Sequence, residues 1–509
     1  MNGQVRYPAA TSRDSLFRAV CTSVKDETAD TMTTKIKIYK ADCAKIAAMD
    51  YSQAWVTILY RWMSYKCRID SVDLENALLV CTQTIGTAGG NVLHDMSGAS
   101  LRIIIENLNI PACQTFNNQD TWQNGTYYVQ GGYLYYKHAE NEDIYADIEI
   151  PKIETLLDIK GECRLYDCEI CYTNHVFDNT CYEGRGYSGR QACARFNAAV
   201  MVSCKCDIQN CNFHHTTNHC VKLMNESYGC NISENKFHDL GCSSVVLGFV
   251  PLAFKVDIPT TATQAPQVTN NSIVSVGRIY AGAAGLSVFY ASNYIIKNNL
   301  IRGTYYTGIT TGYTWTSAAN PNKNGEIANN VIDLVGVGPQ ALFDGGGIYN
   351  LGNASKLKIH DNIITNVYGD ETSDHRLVGL YFDESSSNID VYNNLVLNTY
   401  YSYQFNTITS SVSVHNNIFA LPIKTCCFGK SSGSVTGNVF IFDNCTYTGV
   451  TYSGITKNCW YQTNGDTTAA WDTNPTIGNP FVDYANKDWR ISNSNIATAI
   501  GFVSFDIKP

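Results

Sequence analysis

The stretch YIIKNNLI, residues 294–301, decides the fold. In it, alternating apolar and polar residues lead into two asparagines and then an apolar pair. Alternation of this kind indicates a short β-strand with one buried face. Asparagine is one of the few residues that tolerate the left-handed backbone conformation of a sharp turn. The phrase therefore predicts a strand, a tight turn and the start of the next strand.

The same phrase recurs through the C-terminal half of the chain. It reads CNISENKF at 230–237, QVTNNSI at 267–273, GEIANNVI at 325–332, KIHDNII at 358–364, IDVYNNLV at 389–396, VSVHNNIF at 412–419 and SVTGNVF at 434–440. Successive steps from Asn271 to Asn438 are 28, 31, 32, 32, 23 and 21 residues, so constant turns alternate with loops of variable length. A recurring phrase at such intervals is typical of a solenoid. In stacked coils each asparagine lies about 4.8 Å from the next and can hydrogen-bond to it.

We therefore predict an all-β protein whose main part is a right-handed parallel β-helix, a single-stranded solenoid. A propeller would need four antiparallel strands per unit and Asn-Gly hairpins, and a leucine-rich repeat would need leucines at fixed positions. Neither pattern is present. The expected domains are a smaller β-rich, sandwich-like region over residues 1–152, the β-helix over 153–445, and closing strands with a cap over 446–509.

Composition excludes several classes of function. The formal net charge is -9 and no basic run occurs, so nucleic acid is not an expected partner. No stretch of 18 apolar residues occurs, so no membrane span is predicted. The first ten residues contain no apolar core, and no signal peptide is visible there. We expect a monomer.

The chain contains 20 cysteines, eleven of them between Cys163 and Cys242. They fit either a disulfide framework or an interior ladder, in which cysteine acts as a small apolar filler in successive coils. A zinc site is a further interpretation, because Cys204, Cys206 and Cys211 lie near His214, His215 and His219. Their spacing matches no standard paired-cysteine zinc motif, so we predict no metal site and no cofactor.

A second phrase lies between the asparagine turns. It reads GLSVF from Gly285, GITTG from Gly308, GGGIYNLG from Gly345 and VGLYFDE from Val378. Aligning Gly285, Gly308, Gly347 and Gly379 predicts four neighbouring strands of one parallel sheet. Residue parity then places Ile309, Ile348 and Leu380 inside, and Thr310, Tyr349, Tyr381 and Asp383 on one outward face. An aromatic and acidic face on a rigid sheet suits a glycan-binding groove.

The motifs resemble glycoside hydrolase family 141, within the wider group of pectin-lyase-like β-helix proteins. The resemblance covers nearly the whole chain and rests on TYYTGITTGYTW at 304–315, LFDGGGIYNLG at 342–352, GLYFDESSSNIDVYNNLV at 379–396 and NPFVDYANKDWRI at 479–491. It implies that residues 1–152 are inserted between coils of the full family architecture. MNGQVRYPAA resembles an internal family motif, so we expect that Met1 is not the natural start.

The resemblance implies extracellular breakdown of plant cell-wall polysaccharide, with α-L-fucosidase and xylanase among the family's activities. It also implies that Asp344 and Asp383 are the catalytic carboxylates, since they occupy the matching motif positions. In simple register the two residues would lie about 23 Å apart along the sheet. Glycosidase carboxyl pairs are roughly 5 to 9.5 Å apart. We therefore expect the glycines at 345–347 to fold Asp344 back over the sheet.

Several other residues are candidates for substrate binding. Tyr313, Trp315, Tyr349 and Tyr381 could stack on sugar rings, although packing beneath loops would equally explain these aromatics. Arg376 could bind a substrate oxygen or carboxylate, or belong to a solvated loop. Glu384 is a reserve acid that, as the neighbour of Asp383, is expected to face the other way.

The leading prediction is a glycoside hydrolase that acts on polysaccharide or oligosaccharide. A non-catalytic glycan-binding or structural β-helix, of the adhesin or phage-spike type, is the first alternative. A polysaccharide lyase or epimerase is the second. It is disfavoured because the four aligned phrases contain no outward lysine to act as a base.

Overall fold

The structure is a computed structural model. It describes residues 7–8, 17–18, 20–21, 34–81, 102–107, 115–116, 119–120, 124, 126–130, 132–140, 142–143, 150–174, 191–249, 260–338, 340–370, 376–406, 410–429, 433–443, 454–464 and 472–506. The chain divides into two compact units. The first comprises 1–153, 174–191 and 338–340, and the second comprises 154–173, 192–337 and 341–509.

The second unit is built from three long parallel sheets that successive strands join in turn. Each strand pairs with the equivalent strand of the next coil, so the chain winds as a solenoid of three-strand coils. This confirms the predicted all-β parallel β-helix. The first sheet carries the candidate site, and its strands are Leu157–Ile159, Ala198–Val202, His219–Leu223, Val245–Leu247, Ala284–Val288, Thr307–Gly312, Gly346–Leu351, Val378–Phe382, Tyr401–Phe405 and Thr425–Gly429.

The other two sheets complete each coil. The second sheet contains Cys163–Tyr166, Cys206–Gln209, Asn231–Ser233, Gln267–Thr269, Ile295–Lys297, Glu326–Ala328, Asn353–His360, Ser387–Tyr392, Ser410–His415, Ser434–Thr436 and Ile455–Thr456. The third contains Glu169–Cys171, Asn212–His214, Lys236–His238, Ser272–Val276, Leu300–Thr304, Val331–Val335, Ile363–Val367, Leu395–Thr399, Ile418–Ala420, Val439–Phe442, Cys459–Gln462 and Thr476–Ile477. A short pair, Thr263–Gln264 and Ala291–Ser292, adds to two of the coils.

A buried asparagine ladder joins the second and third sheets. Asn299 illustrates it: its backbone N–H and its side-chain amide both donate to Asn330 Oδ1, at 3.0 and 2.9 Å. The other amide hydrogen donates to the backbone oxygen of Val268 at 2.8 Å. The same pattern links Asn235, Asn271, Asn299, Asn330, Asn362, Asn394, Asn417, Asn438 and Asn458. The side-chain amides of these buried asparagines thereby find hydrogen-bond partners within the protein.

The ladder ends on a carboxylate. Asp472 Oδ2 accepts hydrogen bonds from the Asn458 backbone, the Asn458 amide and Trp460 Nε1, at 3.1, 2.9 and 3.0 Å. Strands Ile455–Thr456, Cys459–Gln462 and Thr476–Ile477 still belong to the solenoid, so it continues past the expected boundary at residue 445. Beyond it, a hairpin of Phe481–Asp483 and Asp488–Ile491 and a helix, Ser494–Ile500, pack on a closing apolar cluster.

Cysteines fill the first coils as small side chains. Cys163 and Cys206 are register partners with their sulfurs 3.4 Å apart, and the Cys206 N–H donates to Cys230 Sγ at 3.4 Å. Cys163, Cys206 and Cys230 are free thiols. This arrangement agrees with an interior ladder for Cys206 and Cys230, which are buried, whereas Cys163 is exposed.

The first unit has its own core between two four-stranded sheets. One sheet contains Phe17–Arg18, Arg102–Glu106, Trp55–Tyr60 and Met63–Arg68, and the other contains Val20–Cys21, Thr34–Lys37, Leu78–Cys81 and Ser71–Asp73. Both contribute to one buried cluster beside the helix Lys40–Ala47, as a sandwich would. Strands Tyr7–Pro8, Thr126–Gln130 and Tyr133–Lys137 form a third sheet, and Thr115–Phe116 pairs with Gln119–Asp120. No helix in the described part of the chain is long and apolar enough to span a bilayer.

Candidate active site

The outward face of the first sheet carries a column of side chains in register. Thr310 pairs with Tyr349, Tyr349 pairs with Tyr381, and Tyr381 pairs with Gln404. The predicted alignment of the glycine phrases gave the first two of these pairings. Neighbouring side chains in such a column stand about 4.8 Å apart, so the two tyrosines are forced into contact. Their ring centroids are 5.1 Å apart in an edge-to-face arrangement.

Each of these two tyrosines holds one of the predicted catalytic aspartates. The Tyr349 hydroxyl donates to Asp383 Oδ2 at 2.6 Å, and the Tyr381 hydroxyl donates to Asp344 Oδ1 at 3.0 Å. Both tyrosines are almost fully buried, whereas both aspartates are partly exposed. The structure therefore places Asp344 and Asp383 against the same pair of touching, buried phenols.

Asp344 reaches the sheet by a turn at its own backbone. Its φ is 61°, in the left-handed region, whereas none of the glycines at 345–347 has a positive φ. The Tyr306 hydroxyl fixes the turn by donating to the Asp344 backbone oxygen at 3.0 Å. The glycines at 345–347 were expected to fold Asp344 back over the sheet, but the positive φ belongs to Asp344 itself.

The glycines allow close packing. A Cβ on Gly345 would lie 2.6 Å from the Tyr306 ring, and one on Gly347 would lie 2.4 Å from Ile364 Cγ2. Distances this short leave no space for any side chain. The triple glycine therefore lets the strand pass beside Tyr306, which in turn holds Asp344 in place.

Three donors converge on Asp383. Besides Tyr349, the backbone N–H of Glu384 donates to Asp383 Oδ1 at 2.8 Å, and Asn406 Nδ2 donates to the same oxygen at 2.7 Å. Asn406 was not among the predicted site residues. It follows the strand Tyr401–Phe405, whose last residue pairs with Phe382, so it lies directly beside Asp383 in the next coil. Alignment of that strand by register would have found it.

Burial keeps both phenols protonated. It raises the pKa of Tyr349 well above its usual value, and the Asp383 carboxylate raises it further. Burial also raises the pKa of Tyr381, and Asp344 and then Asp383 add to that shift. Both carboxylates thus raise the pKa of Tyr381, because nearby negative charges disfavour ionisation of the phenol. The tyrosines act as fixed hydrogen-bond donors at neutral pH.

The predicted stacking aromatics differ in their accessibility. Tyr313, Tyr349 and Tyr381 are at most 2% exposed, so these rings offer no face to a sugar. Tyr313 instead packs edge-on against Phe289 at 4.9 Å, and its hydroxyl accepts a hydrogen bond from Thr310 at 3.3 Å. Their burial favours the alternative, ordinary packing, for these three residues.

Trp315 is the aromatic of the predicted set that is partly exposed. Its ring is edge-on to that of Tyr313, with centroids 5.8 Å apart, and it packs against the buried cluster that contains Tyr313, Tyr349 and Tyr381. Arg376 lies over the Tyr400 ring at 4.3 Å, which fixes its position by a cation–π contact. Glu384 is exposed, and its backbone rather than its carboxylate serves Asp383. Glu384 thus supplies a backbone donor to Asp383, whereas Trp315 and Arg376 are held by ring contacts with Tyr313 and Tyr400.

Comparisons with known proteins agree with the topology. The family described as "Right handed beta helix region" matches residues 202–396. The chain is therefore a right-handed parallel β-helix protein, as its sheets and ladder indicate. No curated protein matches it in a sequence search.

Among solved structures, a protein titled "Glycoside hydrolase" is similar with a TM-score of 0.63 and 19% identity, over 80% of this chain and 74% of that one. A second, "The complex structure of XylC with xylose", has a TM-score of 0.35 and 9% identity, over 93% of this chain and 75% of that one. A tailspike protein double mutant of E. coli bacteriophage HK620, in complex with a pentasaccharide, has a TM-score of 0.34 and 10% identity, over 62% and 66% of the two chains. At these identities the likeness concerns the fold alone.

Proposed function

We propose that this β-helix protein is a glycoside hydrolase in which Asp344 and Asp383 are the catalytic carboxylates. The observation that carries the proposal is the paired contact of two partly exposed aspartates with two touching, buried tyrosines. Hydrolysis of a glycosidic bond needs one carboxyl group that protonates the leaving oxygen and one that activates water or attacks the sugar. The two aspartates supply that pair on a rigid sheet.

The proposal assigns the two catalytic roles to the pair and does not divide them. Asp383 accepts from three donors, which fix the orientation of its carboxylate. The Asp344 side chain accepts from the buried Tyr381 phenol. Trp315 is the candidate sugar platform at the border, and Arg376 and Glu384 are candidates for binding hydroxyl groups of the substrate.

The proposed substrate is a plant cell-wall polysaccharide, attacked in an α-L-fucosidase-like or xylanase-like manner outside the cell. This assignment follows from the motif resemblance to glycoside hydrolase family 141. The shape of the fold is compatible with it, because a long parallel sheet offers an extended face along which a polymer can lie.

The test measures reducing sugar released from fucosylated pectin and from xylan by the purified chain. We expect turnover, and a loss of at least about 100-fold in Asp383→Asn and in Asp344→Asn. Asp390→Asn is the matched control, since Asp390 is a partly exposed aspartate on the second sheet bonded to His415 at 2.8 Å. Full activity in either site variant would refute the assignment of that aspartate.

A glycan-binding protein without turnover is the second candidate. The full hydrogen bonding of Asp383 is the observation that favours it, because such bonds would also hold a purely structural carboxylate. A glycan array that shows retention of one oligosaccharide class, with no product after long incubation, would decide for binding. A rise in absorbance from an unsaturated sugar would instead indicate a lyase.

A further inference from the structure

The outer face of the third sheet carries a second column of chemically reactive side chains, in the first coils. Cys171, His214 and His238 are register partners on three successive strands. Glu169 lies two residues before Cys171 on the same strand, so its side chain points to the same face. Register thus gathers a thiol, two imidazoles and a carboxylate on one surface, although 67 positions separate Cys171 from His238 in the chain.

Three of these groups are close enough to share one ion. The donor atoms of Glu169, Cys171 and His214 all lie within 4.8 Å of one another. His214 Nε2 is 3.0 Å from Glu169 Oε1. Two ligands bound tetrahedrally to zinc at about 2.1 Å stand roughly 3.4 Å apart, so this pair needs little movement to hold an ion.

The surroundings fix the central histidine. The His214 side chain is 9% exposed, whereas that of Glu169 is 66% exposed. The proposed site therefore has a buried ligand on one side and a solvent-exposed ligand on the other. The second ring nitrogen, His214 Nδ1, is 2.7 Å from His215 Nδ1. The His238 ring stacks on His214 at 5.1 Å between centroids. Support of the outer nitrogen and of the ring plane is what a metal-binding histidine ordinarily has.

Ring contacts also hold the neighbouring imidazole, that of His215, against the site. The Tyr172 ring lies parallel to that of His215, 5.8 Å away. On the far side, Asp239 accepts from Arg278 at 2.6 Å and lies 3.1 Å from His238 Nδ1. Residues from four successive coils therefore contribute contacts to the cluster.

We propose that Glu169, Cys171 and His214 form a zinc(II) site that joins the first two coils of the β-helix. A thiolate, an imidazole and a carboxylate suit zinc, whereas magnesium and calcium prefer oxygen ligands throughout. Three protein ligands leave a fourth position for water or for His238. Glu169 and Cys171 belong to one coil and His214 to the next, so the ion would link these two coils and stabilise their pairing.

This site differs from the zinc site considered from the sequence, which involved three other cysteines. Cys204 and Cys206 lie at the strand Cys206–Gln209 of the second sheet, and Cys211 lies at the turn before Asn212–His214. Cys206 and Cys211 are buried, and their thiols contact the backbone oxygens of Asp207 and Gln209. No linear motif could show the proposed set, because its members are brought together by pairing of Glu169–Cys171 with Asn212–His214.

The test uses the full chain after dialysis against a chelator, with zinc chloride as the added ligand. We expect one equivalent of zinc to be retained after gel filtration and the unfolding temperature to rise with zinc concentration. Cobalt(II) in place of zinc should give the thiolate-to-cobalt absorption band. Neither readout depends on glycoside hydrolysis, so failure of one proposal would leave the other unaffected.

Variants identify the ligands. Cys171→Ser should abolish the cobalt–thiolate band, and His214→Gln and Glu169→Gln should each weaken zinc binding at least about 10-fold. Cys163→Ser is the matched control, because Cys163 is an exposed thiol of the same coil on the second sheet. Wild-type protein that retains no zinc would overturn the proposal. So would a cobalt–thiolate band that survives in Cys171→Ser. If a buried variant fails to fold, the exposed Glu169→Gln decides the outcome.

Discussion

Removal of a single hydroxyl tests whether the buried tyrosines organise the aspartate pair. Tyr349→Phe keeps the ring, which is 1% exposed, and deletes only the 2.6 Å hydrogen bond to Asp383. A hydrogen bond to a charged group contributes about 1.5 to 3 kcal/mol. If Asp383 needs that bond in the transition state, kcat/KM should fall about 10- to 150-fold. The loss should be in kcat rather than in KM, because the tyrosine touches the carboxylate and not the sugar.

Tyr290→Phe is the control for this measurement. Tyr290 belongs to the same buried aromatic cluster, but its hydroxyl has no hydrogen-bond partner among the described residues. Loss of this hydroxyl should leave both kcat and stability nearly unchanged, because no hydrogen bond within the described residues is lost with it. Equal losses of activity in the two variants would refute the reasoning, because they would point to packing rather than to the bond with Asp383.

A double-mutant cycle extends the test to a protein without detectable turnover. The free energy of unfolding is measured for Tyr349→Phe, for Asp383→Asn and for the double variant. Coupling of at least about 0.5 kcal/mol is expected for residues that share a hydrogen bond. Zero coupling would contradict the contact itself, whatever the activity of the chain.

Three further predictions concern the scaffold, each measured by denaturant unfolding. Asn330→Ala removes the acceptor of two buried donors and should cost about 2 to 6 kcal/mol, whereas Asn329→Gly, at an exposed position with φ 54°, should cost under about 1. Burial lowers the pKa of Lys222 from 10.5 to about 8, so between those pH values the unfolded chain binds more protons than the folded one. Stability relative to Lys222→Met should therefore rise with pH across that window, by about 3 kcal/mol, and a constant difference would contradict the shift. Gly347→Ala places a Cβ 2.4 Å from a core isoleucine and should cost about 1 to 3 kcal/mol, whereas Gly161→Ala meets nothing within 4 Å.

The fold was readable because its repeat depends on local chemistry. The asparagine of each phrase forms its turn and hydrogen-bonds to the asparagine of the next coil, as Asn299 does to Asn330. Each phrase can therefore be recognised from its own residues. The end of the solenoid was harder to locate. Asn458 continues the ladder in GITKNCW, where cysteine and tryptophan replace the usual apolar pair after the asparagine, and the terminal position is an aspartate rather than an asparagine. A pattern search for asparagine therefore ends one coil early.

The site was only partly readable, because parity gives the direction of a side chain and not what covers it. Parity correctly placed Tyr349 and Tyr381 on the outward face, yet both are buried there and hold carboxylates instead of meeting a sugar. The extended-strand separation of Asp344 and Asp383 was a poor guide for a related reason, since the chain bends at Asp344 and the two aspartates contact touching tyrosines. Register carries more information than parity: it pairs the position of Asp383 with that of Asn406 and the position of Cys171 with that of His214. In a parallel β-helix, functional residues are therefore sought by reading across coils rather than along the chain.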